Sequence, residues 1–331
     1  MSKKNVYSLS VSARATLDLH SLNNEGGEGN QIQTRMVDIV ADDGRLHNVN
    51  AISGDMFKHI QAEHLYHVAR DGDAQEGRGL PLCAACQVFD ANRISADADF
   101  MAQIEGKSDA EAIDLLLKTC VLDDVEGNLL TGEGRSTPRK SVVEFGWVVG
   151  VPEVTSTDSY FHVKYARDRG IKAEADEATR QSNLEQRIFH RPASSGVYAV
   201  VSHYEMARIG YNDIAQRYAL DDEVRAARYR ALLKSVLYTF VHPKGAMRAA
   251  QMPHIVAFEG VLSYTTAVLP APTVSPLNAH YAEEIEGITQ ALNGLHPGKH
   301  AVVIRPFDSL AAFANIVREL VDQTTPYALA V

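Results

Sequence analysis

Cysteine is scarce in this chain, with three in 331 residues, and no apolar run is long enough to span a bilayer. The odd cysteine count rules out a complete disulfide framework and suits a reducing compartment. The missing apolar run excludes a membrane-spanning helix, and Met1-Ser2-Lys3-Lys4-Asn5 leads into an alternating strand instead of the apolar core of a signal peptide. The expectation is a cytoplasmic protein with no membrane partner. GxGxxG, GxxxxGK[ST] and GxSxG are all absent, so nucleotide hydrolysis and acyl transfer have no anchor. There is no helix-turn-helix signature, internal repeat or low-complexity segment.

Metal-dependent hydrolysis is refused by spacing. A zincin needs HExxH, whose histidines share one helical face, whereas His59 and His64 stand five positions apart around Glu63, with His67 beyond. The deaminase signature also fails, because Pro81-Leu82-Cys83 lacks the Pro-Cys junction and no His-x-Glu precedes it. What remains is Cys83-Ala84-Ala85-Cys86, followed at a distance by Cys120. A CxxC pair plus a third thiolate is three-quarters of a tetrahedral zinc site, with Asp123, His64 or His67 to complete it. The plain alternative is three inert thiols packed in a core. Structural zinc is the one cofactor suggested.

A net charge of −10 argues against a nucleic-acid partner, since Lys and Arg supply most of that affinity. The signs are segregated, however. Acids gather at Asp42-Asp43, Asp71 to Glu76, Asp97 to Asp99, Asp123 to Glu126, Glu174 to Glu177 and Asp221 to Glu223. Bases gather at Arg135-Arg139-Lys140, Lys164-Arg167-Arg169-Lys172 and Lys244-Arg248. A basic groove on an acidic body is physically acceptable, and head-to-tail copies can pair one surface with the other.

From Val6 to Leu19 apolar and polar residues alternate, which predicts a long half-buried strand with Arg14 on its polar face. A Gly- and Asn-rich stretch, Asn23 to Asn30, reads as a mobile loop. A helix then starts after Ser53, with Phe57, Ile60, His64 and Val68 toward a core. Residues 71–140 read as an insertion with one short helix opened by the capping box Ser108 to Glu111. Strands follow at Val142 to Val151 and Tyr160 to Ala166, then a polar arm from Arg167 to Ser195, then β structure from Gly196 to Gly210. Asp221 or Asp222 caps a helix through Phe240, and His254 to Thr266 is a further strand. A helix at Asn278 to Leu292, a strand at Ala301 to Arg305 and a helix at Ser309 to Val321 extend the chain. Without the insertions the order is strand, helix, strand, strand, helix, strand, which is the split βαβ pattern of an α+β, ferredoxin-like domain.

The segment Asn50 to Gln61 carries the strongest functional signal. Ser53 can cap the helix, the free N–H groups of the first turn attract anions, Gly54 permits close approach of a backbone, and Lys58 and His59 follow one turn on. A second candidate is the loop Pro243 to Gln251, where Lys244 and Arg248 can each neutralise a phosphate beside Gln251. Phe145-Gly146-Trp147-Val148 echoes the Gly-aromatic motif of RNA-recognition strands, though a strand this apolar also suits a core.

The Ser53 turn and its Lys58 helix resemble the signature helix of the backbone subunit of CRISPR surveillance complexes, the DevR-like autoregulator family, most like its type I-B group. Likeness continues through Glu144 to Gly150, Phe161 to Ala166 and Ser195 to Tyr198. The resemblance implies a ferredoxin-like, RNA-recognition-like palm from residues 1–70, 141–158 and 196–331. It implies a finger insertion at 71–140 and a thumb-like arm at 159–195, in which Leu184, Ile188 and Phe189 are wedge candidates. It further implies a non-enzymatic subunit of Cascade that polymerises along CRISPR guide RNA and presents it for pairing with target DNA, in antiviral defence or guided DNA targeting. Its partners would be guide RNA, the target strand through that guide, other copies of itself and companion Cascade subunits. The expected RNA contacts are Arg14, Asn50, Ser53, Gly54, Lys58, His59, Lys164, Arg167, Lys244, Arg248 and Gln251. Two other readings stand beside it: a type III-like target-RNA endonuclease, for which Asp38, Asp42 and Asp43 are the nearest carboxylates, and a stand-alone DNA-binding regulator.

Overall fold

The structure, a computed structural model, describes residues 3–23, 26–28, 31–72, 79–132, 134–165, 186–247, 249–296 and 300–330. The first long strand, β1, spans Ser8–His20. Leu9, Val11, Ala13, Ala15 and Leu17 alternate along it and all reach the core, as the period-two pattern requires. The opposite face departs from the half-buried expectation, because Ser8, Ser10 and Ser12 are buried as well. A later segment covers them and supplies acceptors: Ser8 Oγ donates to the Leu269 carbonyl at 3.2 Å and Ser10 Oγ to that of Ala271 at 3.2 Å. Neighbouring carbonyls thus satisfy Ser8 and Ser10, while Ser12 Oγ is buried with no hydrogen-bond partner among the described residues.

A hairpin of β2 (Met36–Val40) and β3 (Leu46–Ile52) follows. It lies where the sequence reading gives no element, although Asp43-Gly44 between two apolar-rich runs is a hairpin turn signal. Helix α1 (Gly54–Asp71) comes next, capped by Ser53. Phe57, Ile60 and His64 are buried as their spacing predicts. The long strands β4 (Val148–Tyr165) and β5 (Gln186–Tyr204) pair antiparallel, with a register irregularity between Gly150 and Thr155. The two strands expected at Val142 to Val151 and Tyr160 to Ala166 therefore form one bent strand with a short preceding piece, Val143–Phe145. Pairing runs from Val149 with Ala199 out to Tyr165 with Gln186, so part of the expected polar arm is strand, and its residues 166–185 lie outside the described ones.

The remaining large elements are strand β6 (His254–Thr265) and strand β7 (Val302–Phe307). The sheet order is β7-β6-β1-β5-β4-β3-β2, with every neighbouring pair antiparallel. Its inner four strands, β6-β1-β5-β4, are the ferredoxin-like sheet, with α1 connecting β1 toward β4 and a second helix, Asp222–Val241, connecting β5 to β6. That second helix starts at Asp221, whose side chain accepts from the Val224 amide. It meets α1 through Gln61 Nε2, which donates to Ser235 Oγ at 2.8 Å. Between sheet and helices Phe240, Phe258, Phe307 and Phe313 interlock, with the Phe240 and Phe258 rings stacked at 4.7 Å. Each such side chain taken out of water contributes ~1.5–3 kcal/mol.

Residues 71–140 hold more structure than the one helix anticipated. Among the described residues they contain Ala84–Gln87, Ala98–Ile104, α2 (Asp109–Thr119), α3 (Val121–Glu126) and a hairpin pairing Asn128–Gly132 with Arg135–Arg139. The Ser108–Glu111 capping box is formed. Apolar residues of this insertion, including Ile94, Leu116 and Val125, are continuous with the core that holds Leu65 and Tyr204. The Asp222–Val241 helix is hereafter α4, and Tyr281–Gly294 and Leu310–Gln323 are α5 and α6. Among the described residues no helix is long and apolar enough to cross a membrane.

Candidate functional site

The start of α1 is built as its residues predict. Ser53, extended at φ −63° and ψ 148°, accepts the Met56 amide on its Oγ at 3.2 Å, which satisfies one of the free N–H groups of the first turn. The same hydroxyl donates to Asn23 Oδ1 at 3.3 Å. Asn50 lies just upstream and is buried. Its amide donates to Thr34 Oγ1 and to the Arg35 carbonyl, both at 3.0 Å, and accepts the Tyr198 hydroxyl at 2.9 Å. Its side chain thus braces β3 against β5.

Gly54 is needed for an approach, but the approaching backbone is the chain's own. A Cβ there would lie 2.5 Å from the Phe145 carbonyl oxygen and 3.2 Å from that of Gly146. One side of the helix mouth is therefore closed by the Phe145–Gly146 turn. The adjoining Trp147 is 43% exposed, with the Arg35 guanidinium 5.2 Å from its ring. This aromatic-cation pair beside the Ser53 turn escaped the sequence reading, which weighed Phe145 to Val148 as one unit, an RNA-recognition echo or a core strand. Only Val148 is fully buried, while Phe145 leans on Phe57 with ring centroids 5.9 Å apart.

Lys58 is half-buried and His59 is exposed, its ring 5.5 Å from that of Phe89. Burial lowers the Lys58 pKa; the charges of Glu126, Asp55 and Glu144 oppose that shift. Glu126 sits at the end of α3 and is itself buried, which pushes its carboxyl up to about 7. A phosphate at Lys58 would favour the charged amine, against the effect of burial.

Other predicted residues are engaged elsewhere. Arg14 does not present its charge on an open face: Nε and Nη2 donate to the Pro276 carbonyl at 3.0 and 2.8 Å, and the guanidinium lies 5.8 Å from the Tyr281 ring. The cause is the covering segment that also buries the β1 serines. Lys244 Nζ lies 3.4 Å from Glu63 Oε1, both side chains being largely buried. The Pro243 to Gln251 loop is folded onto β1's exit, with the Ala246 and Met247 amides donating to Leu22 and Ser21. A Cβ at Gly245 would meet Leu22 at 2.5 Å, and Gln251 donates to the Pro192 carbonyl at 2.8 Å. Lys164 stands on β4, paired in register with Arg187. Arg167, Arg248 and Leu184 lie outside the described residues, and only the backbone of Ile188 and Phe189, on β5, is described.

The basic run Arg135-Arg139-Lys140 makes no free patch. Arg135 pairs with Asp109 at 3.1 Å, Lys140 with Glu144 and Glu205 at 3.6 and 3.5 Å, and Arg139 is buried against Asp124 at 2.8 Å. Charge density in the sequence is here consumed by folding.

The cysteines do converge. Cys83, Cys86 and Cys120 are buried, and their sulfurs and an oxygen of Asp123 all lie within 4.8 Å of one another. Of the three proposed completing residues only Asp123 joins the group; His64 instead approaches the His242 carbonyl at 2.9 Å. The carboxylates considered for nuclease chemistry are tied into the hairpin region. Asp38 accepts from Asn48 at 2.7 Å, Asp42 from the Ala279 amide at 2.8 Å, and Asp43 lies 3.1 Å from His47 Nε2.

A family model described as "CRISPR-associated negative auto-regulator DevR/Csa2" matches residues 11–286. No curated protein sequence matches the chain. Among solved structures it is similar to a chain of a CRISPR RNA-guided surveillance complex in a pre-nicking state, at 14% identity and TM-score 0.47, covering 98% of this chain and 96% of that one. A second such complex gives 13% identity and TM-score 0.44, with 95% and 98% covered. Thermofilum pendens Csc2 gives 11% identity and TM-score 0.40, with 95% and 86% covered.

Proposed function

This chain belongs to the DevR/Csa2 family, and on that premise we propose that it is a guide-RNA-binding backbone subunit of a CRISPR surveillance complex. Copies line up along one guide RNA, each holding a stretch of sugar-phosphate while the bases stay free to pair with a target DNA strand. The observation that carries the reading is the Ser53-capped mouth of α1, with Lys58 and His59 one turn on and the Trp147–Arg35 pair beside it. Free amides at a helix start attract phosphate, and Lys58 provides a countercharge. Trp147 offers a ring face for a base or sugar. Sequence is then read by base pairing and not by the protein. Each site is modest; repetition along one strand supplies the affinity. The working compartment is the cytoplasm, where guide and target meet.

We read the subunit as non-catalytic, because Asp38 and Asp43 serve hydrogen bonds within the hairpin and Asp42 accepts the Ala279 amide of the covering segment. Cleavage of complementary RNA in the presence of Mg²⁺, abolished in Asp38→Ala or Asp42→Ala, would reverse that.

The test is native purification followed by nuclease digestion of whatever co-purifies. RNA protected in regular steps is expected, and Lys58→Glu should lose it far more than Lys3→Glu. A protein that stays RNA-free at low ionic strength with guide supplied overturns the proposal. The family description also speaks of a negative auto-regulator; a gel shift of promoter duplex with indifference to guide RNA would favour that second reading.

A further inference from the structure

We propose that Cys83, Cys86, Cys120 and Asp123 bind one zinc ion, which fixes the start of α3 to the segment that follows α1. The four donor atoms, all within 4.8 Å of one another, are close enough to share one ion. Zinc bonds of ~2.3 Å to sulfur and ~2.0 Å to oxygen at tetrahedral angles place sulfur and oxygen about 3.5 Å apart. Asp123 Oδ2 lies 3.5 Å from Cys86 Sγ and 3.8 Å from Cys83 Sγ.

The surrounding hydrogen bonds select which atoms remain for the ion. Asp123 Oδ1 is occupied, accepting Asn128 Nδ2 at 2.6 Å and the Ile94 amide at 3.3 Å. These two donors orient the carboxylate so that Oδ2 faces the sulfurs. Cys83 caps the short helix Ala84–Gln87, its sulfur accepting the Cys86 amide at 3.3 Å; an amide donating to a thiolate offsets part of the negative charge that three sulfurs and a carboxylate bring. Outer partners of this kind fix ligand orientation in metal sites. Inert packed thiols would not call for a buried carboxylate aimed among them, since burying a carboxylate is costly and the Asn128 and Ile94 donors engage only its Oδ1.

The site also explains a local weakness. Helix α3 has only six residues, and its N-cap, Cys120, makes no side-chain cap bond. Joining Cys120 and Asp123 to Cys83 and Cys86 closes a loop of chain that includes α2, so the ion does what a cap and a longer helix would otherwise do. The helix so anchored carries Asp124 and Glu126.

The experiment measures metal by mass spectrometry in the whole protein purified without added metal, and again after exchange into Co²⁺. One zinc per chain is expected, together with the intense thiolate-to-cobalt absorption of a tetrahedral site. Asp123→Cys should keep the metal, now held by four thiolates; Cys86→Ser should lose most of it. If Cys86→Ser fails to fold, chelation of the wild type decides: loss of zinc should raise proteolysis within residues 71–140. A metal-free folded protein that neither takes up Co²⁺ nor changes its proteolysis with chelator, and whose three thiols stay inert, overturns the proposal.

Discussion

Asp124 and Arg228 form an ion pair in the core, Arg228 Nη1 lying 2.7 Å from Asp124 Oδ2 with both side chains fully buried. The other oxygen of Asp124 receives Arg139 Nη2 at 2.8 Å, and the Gly210 amide donates to the same carboxylate at 3.1 Å. One carboxylate thus joins α3, the hairpin strand Arg135–Arg139 and α4. Removing one partner leaves buried charge without compensation. Asp124→Ala is expected to lose about 3–5 kcal/mol, seen in urea unfolding, with Arg228→Met in the same background recovering part of the loss. An Asp124→Ala protein of unchanged stability would mean that water reaches the triad.

The closed side of the α1 mouth yields a steric prediction. Gly54→Ala pushes a methyl into the Phe145 carbonyl, and such overpacking costs about 1–3 kcal/mol. Gly287→Ala, in α5 where nothing lies within 4 Å of the new methyl, should instead stabilise by about 0.5–1 kcal/mol. Thermal melts of the two proteins should move in opposite directions.

His20 predicts a pH dependence. Burial lowers its pKa from 6.5 to about 4, and among the described residues neither ring nitrogen has a partner; its edge meets Tyr198 at 4.9 Å. Between those values the unfolded chain binds a proton that the folded one refuses, so this contribution is complete above pH 6.5 and is lost as pH falls toward 4. The loss is on the order of 3 kcal/mol. Glu126 acts oppositely: with its carboxyl raised from 4.5 to about 7, its stabilisation is full below 4.5 and fades as pH rises through 7. The difference between wild type and His20→Phe isolates the histidine, and chemical denaturation at pH 7 and pH 4.5 should show the gap narrowing in the variant.

For RNA binding, Lys58→Met removes one charge without inserting a new one. Loss of a single phosphate contact should flatten the log–log salt dependence by about 0.7 per copy while leaving the unfolding midpoint nearly unchanged. A salt slope equal to wild type would place the strand away from α1.

Local patterns carried the core of the fold. The alternation from Leu9 to Leu17, the Ser53 and Asp221 caps and the Ser108–Glu111 box all act over a few residues, and each is found as expected. The β2–β3 hairpin was missed because it stands at the sheet edge, where apolar residues such as Val40 and Leu46 are left exposed and the inside–outside alternation is blurred. The insertion was under-read because its short helices are held by contacts with distant elements and have little periodicity of their own.

The sequence by itself determined which residues start helices, which alternate in strands and which three thiols stand ready, since caps and periodicity are local properties of the chain. Only tertiary structure decided where charge and space were used. Arg139 and Lys244 spend their charge on Asp124 and Glu63, and Gly54 and Gly245 make room for Phe145 and Leu22. Asp123, not a histidine, meets the cysteines. Side chains compete for partners by distance in space, and the packing of the sheet against its helices and covering segments sets those distances.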